Sequence, residues 1–234
     1  MPSKHVLVII PAHDEEESLA KTLAEVRAKA PGVDIIVVDD GSKDRTSAVA
    51  RAAGVPVLRH CVNLGVGGAL QTGFRYAVEH DYAIGVQLDA DGQHDPAYLD
   101  ALLAPVSEGR CDVCIGSRWV SSTGYSAPLS RRIGMLLFSG VVKLALGRRI
   151  ADTTSGFRAY GRAVMEVCQH DFPKDFPDAP LLIALHRRGF RLEEVAVQMR
   201  HREAGQSFYT LGKKLYYPYK NLVASLMALL RKPA

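Results

Sequence analysis

At 234 residues the chain is long enough to bury a full core, and 47% apolar and 23% charged residues exclude a disordered or fibrous protein. A net charge of +4 with scattered aromatics gives no basis for nucleic-acid binding. The longest apolar runs, Met135–Val142 and Leu222–Leu230, fall short of the roughly 18–20 residues a membrane span needs, and no signal peptide is read at the start.

Val6–Ile10 is a short apolar run of the kind that forms a buried parallel strand, and Pro11 stops it. Glu15–Lys29 carries Leu19, Leu23 and Val26 at helical spacing. Asp34–Asp39 reads as a strand, Asp44–Ala53 as a helix ended by Gly54, and Val57–Arg59 as a third strand. Gly67–Glu79 is expected to be helical, Ala83–Leu88 a strand, Pro96–Ser107 a helix and Val113–Gly116 a strand. Alternation with short connections predicts an α/β fold on a mostly parallel, doubly wound sheet. Trp119–Pro128 reads as a loop and Arg131–Leu146 as a helix. Thr153–Tyr160 is expected as an edge strand with a short helix after it. Asp178–Arg188 then reads as a helix, Arg191–Val197 as a strand and Tyr209–Leu230 as a long final helix. A domain over 1–208 followed by an amphipathic helix over 209–234 is the expected organisation.

Cys111 and Cys114 form a C-x-x-C. On a strand, positions i and i+3 face opposite sides, and no second pair completes a zinc site, so free thiols are expected.

In such sheets ligands gather at the carboxyl ends of the strands. Polar motifs follow the strands here. Leu88-Asp89-Ala90-Asp91-Gly92-Gln93-His94 ends an apolar run in two carboxylates one residue apart. On an extended segment they point the same way and repel unless a cation lies between them. Hard Mg²⁺ or Mn²⁺, completed by substrate phosphates, suits that pair. Pro11-Ala12-His13-Asp14-Glu15-Glu16 reads either as acids placed at a helix start or as a loop cradling a base. Asp40 could accept a base N–H, while Gly41, Ser42 and Asp44 fit an ordinary turn and cap. Asn63–Ala69 opens a helix with glycines that suit phosphate or a close helix–sheet contact, without a dinucleotide fingerprint. Gly116-Ser117-Arg118, Ser130-Arg131-Arg132 and Arg200-His201-Arg202 are three basic points suited to an anionic group. Asp152–Arg158 is a polar turn leading into a strand.

Together these motifs resemble the family-2 glycosyltransferases of GT-A fold, and within them the dolichyl- and polyprenyl-phosphate sugar synthases, from about residue 5 to 208. The resemblance rests on Pro11-x-x-Asp14-Glu15, Val38-Asp39-Asp40-Gly41-Ser42-x-Asp44, Leu88-Asp89-Ala90-Asp91-x-Gln93-His94, Gly116-Ser117-Arg118 and Asp152-x-x-Ser155-Gly156-Phe157-Arg158, with a looser match at Asn63–Ala69. It implies that Pro11, Ala12, Asp14, Glu15, Asp40, Gly41 and Gly67, with Asp89, Ala90 and Asp91, bind a nucleotide sugar. Asp89, Asp91 and Gln93 would hold Mg²⁺ or Mn²⁺. Arg118, Arg131, Arg132, Ser155 and Arg202 would grip the acceptor phosphate. Asp91 and Arg118 are the implied catalytic groups, joined by Asp178 as the base if the acceptor is a sugar hydroxyl. Two departures stand out. The family's late lysine is replaced by Phe208, and a glutamate in Asp-x-Glu-Leu is replaced by Pro180.

The implied activity is metal-dependent, inverting transfer of a hexose from GDP-mannose or a UDP-sugar to a polyprenyl phosphate. A hydroxyl acceptor and a non-catalytic nucleotide-sugar-binding module are the alternatives. A nucleotidyltransferase would want a basic glycine-rich loop where this chain has acids. Leu211, Leu215, Leu222, Leu226 and Leu229 recur at near-helical spacing beside tyrosines and lysines, which suits either a membrane surface or packing on the domain. A cytoplasmic chain is expected, peripheral on the membrane if that helix binds lipid, with a membrane protein as a further possible partner.

Overall fold

The structure is a computed structural model that describes residues 5–119, 147, 150–173, 178–200, 223–225 and 227. In chain order the elements are β1 (Val6–Ala12), α1 (Leu19–Lys29), β2 (Asp34–Asp39), α2 (Thr46–Ala52), β3 (Val57–Arg59), α3 (Val66–Glu79) and β4 (Ile84–Gln87). A short 3₁₀ turn, Pro96–Tyr98, leads into α4 (Leu99–Ser107). Then come β5 (Val113–Ser117), β6 (Arg158–Gly161), α5 (Arg162–Cys168), α6 (Ala179–Arg187) and β7 (Leu192–Ala196).

The strands form one seven-stranded sheet among the described residues, in the order β3-β2-β1-β4-β6-β5-β7. Every neighbouring pair is parallel except those made by β6, which runs against both β4 and β5. The mixed α/β sheet flanked by helices is the fold the motifs imply.

The central parallel strands β1, β2 and β4 carry apolar runs because both faces are covered. On β1, Leu7 and Ile9 face a cluster with Leu70, Phe74, Tyr160, Met165 and Leu182. Val8 and Ile10 face the opposite cluster, with Leu23, Val26, Val86, Leu102 and Phe157. Helix α3 lies close on the sheet because Gly73 has no side chain. A Cβ there would stand 2.3 Å from Ile9 Cγ2.

Three expectations are corrected. The segment expected as an edge strand over Thr153–Tyr160 is a central one, and only from Arg158. Residues 152–157 form a polar turn, while Arg158, Ala159 and Tyr160 are fully buried between neighbouring strands. Helix α1 begins four residues later than expected, because the Glu15 carbonyl closes a turn with the Ser18 and Leu19 N–H groups. Cys111 lies before β5 rather than on it, so the opposite-face argument fails. Its thiol meets that of Cys114, and this contact holds the Cys111 thiol below its usual range and pushes that of Cys114 up. Both thiols are free. Among the described residues no helix is long and apolar enough to cross a membrane. The expected helices over 131–146 and 209–230 lie largely outside the described residues, although 223–225 and 227 are helical.

Candidate active site

Parallel pairing puts the ends of β1, β2, β3, β4, β5 and β7 on one edge of the sheet. The reversed β6 starts at that same edge, with Arg158 opposite both Gln87 and Ile115. The polar motifs therefore share one rim.

The loops after β1 and β2 are laced together. The Asp14 N–H donates to Ser42 Oγ at 3.0 Å, and the Lys43 N–H donates to Asp14 Oδ1 at 2.7 Å. The Glu15 N–H donates to Thr46 Oγ1, the Glu16 N–H to Asp44, and the Arg45 N–H back to Glu16. The acids of this motif thus do structural work of a kind that the sequence pattern alone does not reveal. Asp14 takes a positive φ of 54° to do so. Pro11 and Ala12 end β1, and the Ala12 carbonyl accepts the Asp40 N–H.

Asp39 and Asp40 differ in task. Asp39 is fully buried. Burial works to raise its pKa, but hydrogen bonds from Ser42 and Ser47 outweigh it and hold the carboxyl below the usual range. Asp40 clamps the loop after β3. Its carboxylate accepts from the Leu64 N–H at 2.8 Å and the Gly65 N–H at 2.7 Å, and lies 2.7 Å from His60 Nδ1. His60 in turn reaches Thr72 Oγ1 on α3 at 2.9 Å. Gly41, at φ +72°, lets this loop close. A Cβ there would lie 2.8 Å from the Val62 carbonyl carbon. Gly67 is buried in the first turn of α3.

Beyond β4 the extended geometry expected for the paired acids does not hold. The strand ends at Gln87, Ala90 and Asp91 form a turn, and Gly92 takes φ +75°. The Asp89 side chain is 36% exposed. Its oxygens lie 3.2 and 3.4 Å from where a Cβ on Gly156 would be. Asp91 is buried, accepts the Gln93 N–H at 3.0 Å, and borders a cavity of about 240 Å³ with Glu17, Ser18, Thr22, His94 and Arg200. The Ala90 carbonyl is held by Thr22 Oγ1 at 2.9 Å. Among the described residues no three His, Cys, Asp or Glu side chains surround one point. A cation here would need oxygen ligands from a bound molecule. Hard carboxylate donors at the mouth of a rim suit a Mg²⁺ or Mn²⁺ shared with phosphates.

Arg118 follows β5 and is locked to Asp152. Its Nε lies 2.6 Å from Asp152 Oδ2 and its Nη2 2.7 Å from Oδ1, while its backbone N–H also reaches Oδ2. Thr154 Oγ1 accepts from Nη2 at 2.9 Å. Burial works to raise the Asp152 pKa, but the Arg118 partnership overrides it and keeps the carboxyl below its usual range. Glu194 on β7 fixes this loop by accepting the Ala151 and Asp152 N–H groups. The sequence reading missed Glu194, although two adjacent acids inside a strand, Glu193 and Glu194, were a usable signal. Ser155 is buried and its Oγ accepts the Phe157 N–H.

Arg200, one of the expected basic points, is engaged by acids. It pairs with Glu25 at 2.6 Å and with Asp95 at 2.7 Å, and Lys29 joins the same Asp95 at 2.7 Å. Gln93 touches this segment too, its side-chain amide pointing to the Arg200 carbonyl. Asp178 stands at the N-terminus of α6, where its charge acts on the buried Tyr160 hydroxyl. Arg131, Arg132 and Arg202 lie outside the described residues.

The sequence profile of the family described as glycosyl transferase family 2 matches residues 7–168. An undecaprenyl-phosphate mannosyltransferase of Micrococcus luteus is 36% identical, with 86% of each chain covered. A polyprenol monophosphomannose synthase of Mycolicibacterium smegmatis is 34% identical over 88% of this chain and 81% of that protein. Among solved structures, glucosyl-3-phosphoglycerate synthase from Mycobacterium tuberculosis bound to phosphoglyceric acid has a TM-score of 0.74 at 20% identity. That match covers 97% of this chain and 80% of the other. The same enzyme has been crystallised with Mn²⁺ and UDP-glucose, with a TM-score of 0.67 at 20% identity over 97% of this chain and 79% of the other.

Proposed function

The chain belongs to glycosyl transferase family 2 and is a glycosyltransferase; from that premise we propose that it moves a hexose from a nucleotide sugar to a polyprenyl phosphate. The observation that carries the reading is the meeting of Asp89 and the 152–157 loop on one rim. Gly156 abuts the Asp89 carboxylate, and Asp152 and Thr154 of the same loop hold Arg118. A carboxylate suited to the donor and an arginine suited to an acceptor phosphate thus share one short segment. The two mannosyltransferase relatives supply the acceptor class.

Asp89, with Asp91 and Gln93, is the set we assign to a divalent cation, which when bound neutralises charge on the departing nucleoside diphosphate. Pro11, Ala12, Asp14, Glu15, Asp40, Gly41 and Gly67 line the loops we assign to the base and ribose. The laced hydrogen bonds of those loops keep them preorganised, so little ordering remains for the donor to impose. A lipid phosphate is already an anion. It requires orientation by Arg118 and the basic points at Arg131, Arg132 and Arg202, and no proton has to be removed. Asp178 is then dispensable as a base.

The experiment is a thermal-shift series of nucleoside diphosphates and their sugars with and without Mn²⁺, followed by transfer assays on polyprenyl phosphate. A ligand that binds only the folded state raises the melting temperature. A metal-dependent rise with one base, transfer to the lipid phosphate, and retained transfer in Asp178→Ala are the expected results. No rise with any nucleotide in folded protein removes the donor assignment. Loss of all transfer in Asp178→Ala moves the acceptor to a sugar hydroxyl.

A further inference from the structure

His94 ends the motif that carries the paired acids, yet none of the roles assigned above uses it. It is a polar side chain only 4% exposed, in a region where burial without partners is unfavourable. Both ends of its ring act on one residue. The Asp89 backbone N–H points at His94 Nδ1 at 3.0 Å. That N–H can only donate, so Nδ1 must accept and the ring hydrogen sits on Nε2. Nε2 lies 3.6 Å from Asp89 Oδ2, beyond hydrogen-bond length but within electrostatic reach.

One face of the ring is covered. It stacks on fully buried Phe157 with centroids 5.0 Å apart and planes 12° from parallel. The His94 backbone bridges to Met199, and the neighbouring Gln93 carbonyl accepts the Arg200 N–H at 2.9 Å. Across the carboxylate, Gly156 closes the remaining side. Asp89 is therefore held at its backbone and flanked at its carboxylate by His94 and Gly156, while its side chain stays 36% exposed.

We propose that His94 is a positioning residue that fixes the Asp89 carboxylate for a divalent cation and its diphosphate, with Phe157 setting the plane of the ring. The proposal rests on Asp89 serving as the cation ligand. A ligating carboxylate left to its own rotamers binds metal less well, and loss of such a supporting group typically lowers metal affinity by about 10–100-fold.

The test is titration of Mn²⁺ with the nucleoside diphosphate that stabilises the wild-type chain, followed by calorimetry on wild type, Asp89→Ala, His94→Ala and His94→Asn. His94→Ala should weaken metal-dependent binding by about 10–100-fold and leave metal-free nucleotide binding unchanged. His94→Asn keeps an acceptor near Nδ1 for the Asp89 N–H, so it should recover part of the loss, which a space-filling role would not produce. If His94→Ala does not fold, His94→Asn still carries the test through its loss of the Nε2 contact. Folded His94 variants with wild-type metal-dependent binding, beside an Asp89→Ala variant that has lost it, overturn the positioning role alone. Metal-dependent binding that survives in Asp89→Ala overturns the cation assignment, and the proposal with it.

Discussion

Asp152 holds Arg118 in place on the rim. Two guanidinium contacts and a backbone N–H converge on its carboxylate, and Glu194 pins the loop beneath it. Asp152→Asn keeps the shape and removes the charge, leaving the Arg118 cation buried without its counter-ion. Breaking a buried pair from one side costs about 3–5 kcal/mol, so the denaturant midpoint should fall by that equivalent. A midpoint equal to wild type would mean that Arg118 has found another partner. At this scale the sequence was legible in part. Asp40 and Asp89 could be singled out as acids standing just past apolar runs, and Asp152 only as the start of a polar turn before a strand. That Asp40 is occupied by two loop N–H groups and His60 could not be foreseen. Hydrogen bonds between loops 24 or 25 residues apart leave no periodic trace in the chain.

At the scale of elements, the segment after β7 is tied to α1 and to the loop after β4 by ions as well as by the apolar packing of Val197 and Met199. Asp95 receives Lys29 and Arg200, which also reaches Glu25. Burial pushes the Asp95 carboxyl up, yet hydrogen bonds from Lys29, the Ala97 N–H and Arg200 bring it down to about 2. The folded value lies below the unfolded one of about 3.9, so the stabilisation is complete above that value. It is lost as the pH falls from about 4 toward 2. Asp95→Asn should therefore lower stability near neutrality by about 1–2 kcal/mol after allowance for solvent screening. Urea midpoints of the two proteins should converge as the pH drops through that window. A gap that does not change with pH would place the effect in packing instead. Strands β1, β2 and β4 were legible as apolar runs, and β2 and β3 match their expected bounds. The place of β6 was not. Strand direction has no local signature, and the polar turn before Arg158 looked like the exposed half of an edge strand.

For the molecule as a whole, the proposed lipid acceptor would have to meet the rim at a membrane surface. No helix among the described residues can span a bilayer. The leucines, tyrosines and lysines over 209–234 are the part of the sequence best suited to a membrane surface. We expect the full chain to sediment with anionic liposomes and a chain ending at residue 208 to remain in the supernatant. Equal sedimentation of both would place lipid contact elsewhere on the chain.

The reversal of β6 also bears on how the chain can fold as it leaves the ribosome. Strands β1 to β4 pair only among themselves until β6 exists, so the first 87 residues contain a complete four-stranded parallel unit. Strand β5 has no such neighbour. Both of its partners, β6 and β7, lie downstream, and forty residues (118–157) separate its end at Ser117 from the start of β6. Its apolar Val113–Ile115 must wait unpaired until Arg158–Gly161 emerges and slots between it and β4. Contacts of such separation are slow to form and leave an open strand edge meanwhile. The interval between the emergence of β5 and that of β6 is thus the one in which a nascent chain presents this open strand edge.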